Sequence, residues 1–177
     1  EVRQALAARD RERLRALFLE GFAELKADYD VRQFQFHLPP ATSFLRVHKP
    51  EKFGDDLSGF RQTVIESNRE RRPIQGLEIG VAGLGVRGMV PISHEGVHQG
   101  TVEFGMSFGQ AFFDDYTRRT GVMLALHLNR DGRLEPFAST LPARNLIDAQ
   151  VLSGALTGEA VFTTATTGGS PLSLYAG

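Results

Sequence analysis

The N-terminal part of the chain has apolar positions at helical spacing. Between residues 2 and 28 they recur at steps of three and four among many charged residues, at Leu14, Leu17, Phe18, Phe22 and Leu25. This spacing predicts one long amphipathic helix. Residues 9–13 are all charged, so we expect that half of the helix to project from the core or to meet a partner helix.

The pattern then changes to that of strands. Phe34, Phe36 and Leu38 alternate with polar residues, which predicts a half-buried strand that ends at Pro39 and Pro40. A second extended piece is expected over residues 43–48. A helix capped by Asp55 or Asp56 is expected next, and it runs toward Asn68 with one apolar face, made of Leu57, Phe60, Val64 and Ile65.

Three consecutive strands follow. Residues 76–92 read as two strands joined around Gly83, and residues 99–108 as a third after a turn centred on Gly96. A helix is expected from Gln110 to about Arg119, ending at Gly121. The later elements are a strand over 122–128, a helix near Asn145 to Leu152, and a hairpin over 160–175.

This order predicts an α+β domain built on one antiparallel sheet with helices on one face. We divide it into the long helix at 1–30, a central module at 31–120, and a small or incomplete α/β extension of the same domain at 121–177. The chain begins inside the first helix and stops in the last strand, so we expect flanking segments on both sides.

The composition excludes several classes of function and of site. The 177 residues carry a formal net charge of −1, which lacks the basic excess of a nucleic-acid-binding protein. Cysteine is absent, which excludes disulfides, thiolate zinc sites and covalent c-type haem. No apolar run approaches the roughly 18–20 residues needed to span a bilayer.

Two catalytic signatures match by letter and fail by context. Residues 83–88 read GLGVRG, a GxGxxG string, but the strand-like MVPI follows where a nucleotide site needs a helix. Residues 94–98 read HEGVH, an HExxH string, but Gly96 and the flanking strand pattern favour a hairpin turn. A zinc hydrolase using His94, Glu95 and His98 is therefore a secondary hypothesis.

The most unusual segment covers residues 44–56. On a strand, Arg46 and His48 share one face, where they could hold a carboxylate or another small anion. The alternative is an ion-paired surface strand in which Arg46 or Lys49 meets Asp55 or Asp56. A second set of charges, Glu78, Arg87 and Glu103, lies on neighbouring predicted strands. It could form a cross-strand network or line a pocket.

Several of these strings resemble Cache-type, PAS-like sensory domains of bacterial receptors. The resemblance lies in QFHLPP at 35–40, FLRVHKP at 44–50, FGDDL at 53–57, GLEIG at 76–80 and GTVEFG at 100–105, with Arg87 and Pro91. It covers roughly residues 10–120 well and the remainder loosely. It implies a PAS-like antiparallel sheet with a long N-terminal helix, in a periplasmic domain anchored between two membrane spans.

The resemblance also implies a function. We expect a ligand-sensing domain of a transmembrane chemoreceptor, such as a methyl-accepting chemotaxis protein, with no enzymatic activity, no cofactor and no metal. The ligand is expected to be an organic acid, an amino acid or an amine, and the candidate ligand-binding residues are His37, Arg46, His48, Lys49, Glu78, Arg87 and Glu103. We expect a homodimer through the N-terminal helix, which relays the signal.

Three alternatives stay open at this point. The same domain could serve a histidine kinase or a diguanylate cyclase. It could be driven by a binding-protein partner instead of a direct ligand. The zinc hydrolase is the third.

Overall fold

The computed structural model describes residues 1–80, 83–143, 146, 148–158, 160–167 and 169–176. The chain divides into two compact units, Glu1–Phe108 and Gly109–Gly177. The candidate site lies in the first unit.

The first unit contains a five-stranded sheet and four short helices. In chain order these are α1 (Val2–Ala7), α2 (Arg11–Ala16), α3 (Leu19–Tyr29), β1 (Val31–Leu38), β2 (Thr42–Arg46), α4 (Gln62–Glu70), β3 (Ile74–Gly80), β4 (Gly83–His94) and β5 (Val97–Ser107). The strands lie in the order β2-β1-β5-β4-β3, and every neighbouring pair is antiparallel. The predicted antiparallel sheet is confirmed.

The predicted long N-terminal helix is wrong, because the segment forms three short helices. Arg9 adopts a left-handed backbone with φ of 56°. The Asp10 carboxylate then accepts a hydrogen bond from the Arg13 amide at 3.0 Å, which caps a new helix. The break allows Leu6 and Leu14, which lie in different helices, both to be fully buried. The apolar spacing indicated the buried face correctly, but it did not show where one helix ends and the next begins in a new direction.

The two faces of the sheet differ in chemistry. One face carries Phe34, Phe36 and Leu45, which pack with α1 and α2 residues in the main hydrophobic cluster. The Phe34 ring contacts Phe18 edge-on at 4.8 Å between centroids and stacks on Phe104 at 4.5 Å. Contacts of this kind add to the free energy of burial. The opposite face of the same strands is polar, and it holds the candidate site.

The helix predicted after Gly54 begins later than expected, at Gln62. Asp55 and Asp56 do not cap it. The backbone of residues 54–56 runs extended beside β2, where the Ser43 amide donates to the Asp55 carbonyl at 3.0 Å and the Gly54 amide to the Ser43 carbonyl at 2.7 Å. Arg61, at the end of this connection, donates hydrogen bonds to Glu78 of β3 and Glu103 of β5. Residues 47–61 therefore cross the polar face before α4 starts, and we name them the crossing segment.

The catalytic-looking strings lie in strand and turn. Residues 83–88 belong to β4, so they do not form a strand-to-helix phosphate loop. Glu95 and Gly96 have φ of 50° and 78° and connect β4 to β5 in a two-residue hairpin turn. His94 pairs with Val97, and His98 with Ser93, so the two imidazoles point to opposite faces of the hairpin.

The described part of the second unit contains two hairpins and two helices. These are α5 (Gln110–Thr120), β6 (Ala125–Arg130), β7 (Arg133–Ser139), α6 (Ala149–Ala155), β8 (Val161–Thr167) and β9 (Ser170–Ala176). The predicted helix that ends at Gly121 is confirmed. Asn145, the predicted start of the next helix, lies outside the described residues, and α6 follows an Asp148 cap. Within the described part of the chain, no helix is long and apolar enough to cross a membrane.

Candidate ligand-binding cleft

A network of buried charges lies on the polar face of the sheet. Arg61 donates from Nε to Glu78 Oε2 and from Nη2 to Glu103 Oε2, each at 2.7 Å. Arg87 donates from Nη1 to Glu103 Oε1 at 2.9 Å and to Gln33 Oε1. The cross-strand network predicted from Glu78, Arg87 and Glu103 is therefore present, and Arg61 completes it. Two arginines and two glutamates leave it without net charge.

Glycines make room for the Arg87 side chain. A Cβ at Gly80 would lie 2.5 Å from Arg87 Nη2, and a Cβ at Gly105 would lie 3.1 Å from Arg87 Nη1. The absence of side chains at these positions lets the guanidinium lie close against the backbone while fully buried. Gly80 on β3 and Gly105 on β5 therefore make this placement of the arginine possible.

Burial and neighbouring charges set the protonation states. Burial by itself raises the pKa of Glu103, but His37, Arg61 and Arg87 outweigh it, so the pKa lies below its usual value. Burial likewise opposes the charged form of Arg61, and Glu103 and Glu78 reverse that effect and raise its pKa. Burial lowers the pKa of His37 to about 4, against a pull from Glu103. At neutral pH Glu103 and Arg61 are therefore charged and His37 is neutral.

An open cleft of about 270 Å³ lies between the sheet and the crossing segment. Its lining comes from β1, β2, β5 and the crossing segment: Arg32, Gln33, Gln35, Arg46, His48, Lys49, Lys52, Leu57, Phe60, Arg61 and Ser107. Gln35, Arg46 and Arg61 are buried and form its inner part, whereas Lys49 and Lys52 are exposed. Arg61 belongs to both the cleft and the charge network, so the two are connected.

Arg46 fixes the crossing segment in place. Its Nη1 and Nη2 donate to Asp55 Oδ1 and Oδ2 at 2.8 and 2.6 Å, and Nη1 also donates to the Lys52 carbonyl at 2.8 Å. The hydrogen bonds from Arg46 lower the pKa of Asp55 to about 2. This is the ion-paired alternative for Arg46 that the sequence left open, and it positions the loop that carries both lysines.

His48 also anchors this loop. Its Nδ1 lies 3.3 Å from the Phe34 amide nitrogen and 3.2 Å from the Phe34 carbonyl oxygen. Burial lowers the pKa of His48, so the ring is neutral at pH 7.

The predicted site residues fall into two adjoining groups. Arg46, His48 and Lys49 line the cleft, whereas His37, Glu78, Arg87 and Glu103 belong to the buried network or, for His37, lie 3.4 Å from it. Their role as ligand contacts stays a prediction. Sequence reasoning missed Arg61, Gln33, Gln35 and Lys52. Arg61 had a visible signal, because it shares the predicted apolar helical face of Leu57 and Val64.

The pairing of Arg46 with Asp55 leads to a testable expectation. Asp55→Asn should destroy the bidentate pair and speed hydrogen exchange of the Gly54 and Leu57 amides about tenfold, the equivalent of about 1.4 kcal/mol. Asp56→Asn is the matched control, since Asp56 contacts the Ser58 amide in the same segment and pairs with no arginine among the described residues. Equal exchange rates in both variants would show that Arg46 does not hold the segment.

The hairpin gives no support to the zinc hydrolase. His98 Nε2 lies 2.8 Å from Asn68 Oδ1, and His94 and His98 diverge. Among the residues that the structure describes, no group of three or more histidine or acidic side chains could hold a metal ion.

Comparison with known sequences identifies the family. Residues 1–172 match dCache_3, described as the double sensory domain of two-component sensor kinase. The chain belongs to this family. The Cache resemblance predicted from the sequence is thereby confirmed for this dCache_3 domain, and with it the predicted periplasmic location. No curated protein matches the chain significantly.

Two solved structures are similar to this dCache_3 domain. The extracellular ligand binding receptor from Desulfohalobium retbaense shares 16% identity with a TM-score of 0.57, over 92% of this chain and 32% of the receptor chain. The chain thus spans about a third of that receptor, and the likeness shows the fold. The periplasmic domain of Vibrio cholerae LuxQ shares 14% identity with a TM-score of 0.46, over 99% of this chain and 83% of that one.

Proposed function

We propose that this chain detects a small molecule directly, in the cleft under the crossing segment, on behalf of a transmembrane receptor. The cleft carries this proposal: it is concave, it combines buried polar groups with the apolar side chains of Leu57 and Phe60, and Arg61 connects it to a helix. Small-molecule sites usually have this mixture of apolar walls and a few convergent polar groups.

The connection to α4 supplies a route for a signal. Glu78 accepts hydrogen bonds from Arg61, from the Thr63 amide at 3.0 Å and from Thr63 Oγ1 at 2.7 Å. The first turn of α4 is therefore held to β3 through a carboxylate that also pairs with a cleft residue. A ligand that contacts Arg61 and the crossing segment would favour one placement of α4 on the sheet.

The output module is a further part of the proposal. The sequence predicted a chemoreceptor, and the family description names sensor kinases. We propose the chemoreceptor, with a histidine kinase or diguanylate cyclase as alternatives. The full-length coding sequence decides between them, since a methyl-accepting module or a kinase module would be encoded after the second membrane span. By the same analogy to the family, we also propose that the domain forms a homodimer through its N-terminal helices and that these helices relay the signal to the membrane.

The direct test is a thermal-shift screen of the 177-residue chain with amino acids, organic acids, amines and divalent metals, including a chelator control. A ligand at about 100 times its Kd stabilises the folded state by about 2.7 kcal/mol, which raises the Tm by about 5–10 °C at this size.

A variant that blocks the cleft tests whether the rise in Tm comes from binding at this place. Ser107 lies in the lining and is exposed, so Ser107→Trp should fill the opening without disturbing the buried charges. We expect it to abolish the shift and to leave the unliganded Tm within about 1 °C. If no compound in the panel raises the Tm of the unmodified chain, direct sensing is contradicted and a receptor driven by a binding-protein partner is favoured.

A further inference from the structure

Three acidic side chains near the cleft, Asp55, Glu78 and Glu103, are already committed to arginines. Glu78 and Glu103 are shared between Arg61 and Arg87, and Asp55 is held by Arg46 in a two-point pair. None of these acids lines the cleft. No acidic residue is among those that line the cleft, so a ligand ammonium group entering it would meet no carboxylate of the lining.

The lysines are in the opposite situation. Lys49 and Lys52 line the cleft, and neither has an ion-pair partner among the residues that the structure describes. The remaining basic lining residues are compensated, since Arg32 pairs with Asp30, Arg46 with Asp55, and Arg61 with two glutamates. Among the residues that line the cleft, Lys49 and Lys52 are thus the two positive charges without an ion-pair partner.

The rest of the lining suits a short carbon skeleton. Leu57 and Phe60 supply apolar surface, and Gln33, Gln35 and the neutral His48 supply uncharged hydrogen-bonding groups. The volume of about 270 Å³ lies at the lower end of ligand pockets, below the range typical of drug-sized molecules. The occupant is therefore small.

From this charge balance we infer that the ligand is a small organic dianion without an ammonium group, such as a short dicarboxylate, held by Lys49 and Lys52. The inference rests on the proposed function, because it takes the cleft as the ligand site. Each lysine supplies a charge-assisted contact to one carboxylate. An α-amino group on the same skeleton adds a positive charge where two are already uncompensated, so the amino acid binds more weakly than its parent acid.

Matched ligand pairs test this inference. Isothermal titration of the chain with succinate and aspartate, and with glutarate and glutamate, compares each dicarboxylate with its amino counterpart. We expect at least one dicarboxylate to bind more than tenfold more tightly than its amino acid, and its affinity to fall as salt rises. Binding of 1,4-diaminobutane should be undetectable.

Charge variants locate the binding. Lys49→Gln and Lys52→Gln should each weaken the dicarboxylate at least tenfold, as expected for loss of a charge-assisted contact. Lys26→Gln is the matched control, since Lys26 is the only other lysine of the chain and lies exposed on α3. Lys49→Arg and Lys52→Arg should retain much of the affinity.

The outcomes separate this inference from the proposed function. If an amino acid or an amine binds equally well or better, and Ser107→Trp abolishes that binding, the cleft is the ligand site but the ligand class is wrong. Sulfate or phosphate binding as tightly as the dicarboxylate would contradict an organic ligand. Dicarboxylate binding that Lys49→Gln and Lys52→Gln leave unchanged, or its absence up to millimolar concentration, would also overturn the inference.

Discussion

Glu103→Gln is expected to lower the free energy of unfolding of the first unit by about 3–5 kcal/mol. Glu103 is fully buried and pairs with Arg61 at 2.7 Å and Arg87 at 2.9 Å. A neutral amide leaves two guanidinium groups in the interior with a single carboxylate, Glu78, between them. An uncompensated buried charge is much more costly than the loss of a surface ion pair. Denaturant unfolding followed by circular dichroism measures the change.

A matched substitution on the same hairpin controls for the lost charge. Glu95 has a side chain that is 85% exposed, with a single long contact to His94 at 3.8 Å. Glu95→Gln should change the stability by less than about 0.5 kcal/mol. If Glu103→Gln lowers the free energy of unfolding by less than about 1 kcal/mol, water reaches the network, and the ion pairs of Glu103 contribute little to the stability of this unit.

Stability is expected to fall by about 3 kcal/mol between pH 6.5 and pH 4 because of His37. Burial lowers its pKa in the folded state from 6.5 to about 4. Over that interval the unfolded chain binds a proton at His37 that the folded chain does not bind, so the free energy of unfolding decreases as the pH decreases. Below about pH 4 the folded chain is protonated too, and the contribution of His37 to the slope ends.

His37→Gln should remove most of this dependence, as measured by denaturant midpoints across the interval. Neither ring nitrogen of His37 has a hydrogen-bond partner among the described residues, so glutamine forfeits no established hydrogen bond. A residual slope of the same sign is expected from His48 and His98, whose pKa values burial also lowers. His94→Gln in the hairpin is the control. An unchanged slope in His37→Gln would show that His37 is solvated in the folded state.

The cleft could be predicted from the sequence only in part. Alternation along the extended piece correctly indicated that Arg46 and His48 lie on one side, and the alternative pairing of Arg46 with Asp55 is the one that the structure shows. Lys52 could not be placed, because the crossing segment has no regular period. Arg61 was missed, although its place on the apolar helical face predicts burial, and a buried arginine requires acidic partners, here Glu78 and Glu103.

The N-terminal segment shows a second limit. Three- and four-residue spacing correctly indicated helix, but it is the same in one long helix and in three short ones. The Asp10 side chain competes with the helix for the Arg13 amide, and packing of Leu6 and Leu14 against the same sheet decides in favour of the break.

The sequence by itself determined the family, the antiparallel strands, the hairpin turn at Glu95 and Gly96, and which residues share a face of each strand. The strands, the turn and the shared faces follow from local backbone preferences and from the two-residue period. The family follows from the resemblance of strings such as FLRVHKP at 44–50. Only the tertiary structure decided which faces are covered. The expected half-buried strand β1 is buried on both sides, with Gln35 and His37 inside, because the crossing segment covers its polar face. That cover turns surface charges into a buried network and leaves Lys49 and Lys52 at the mouth of a cleft, since burial forces opposite charges to pair and exposure does not.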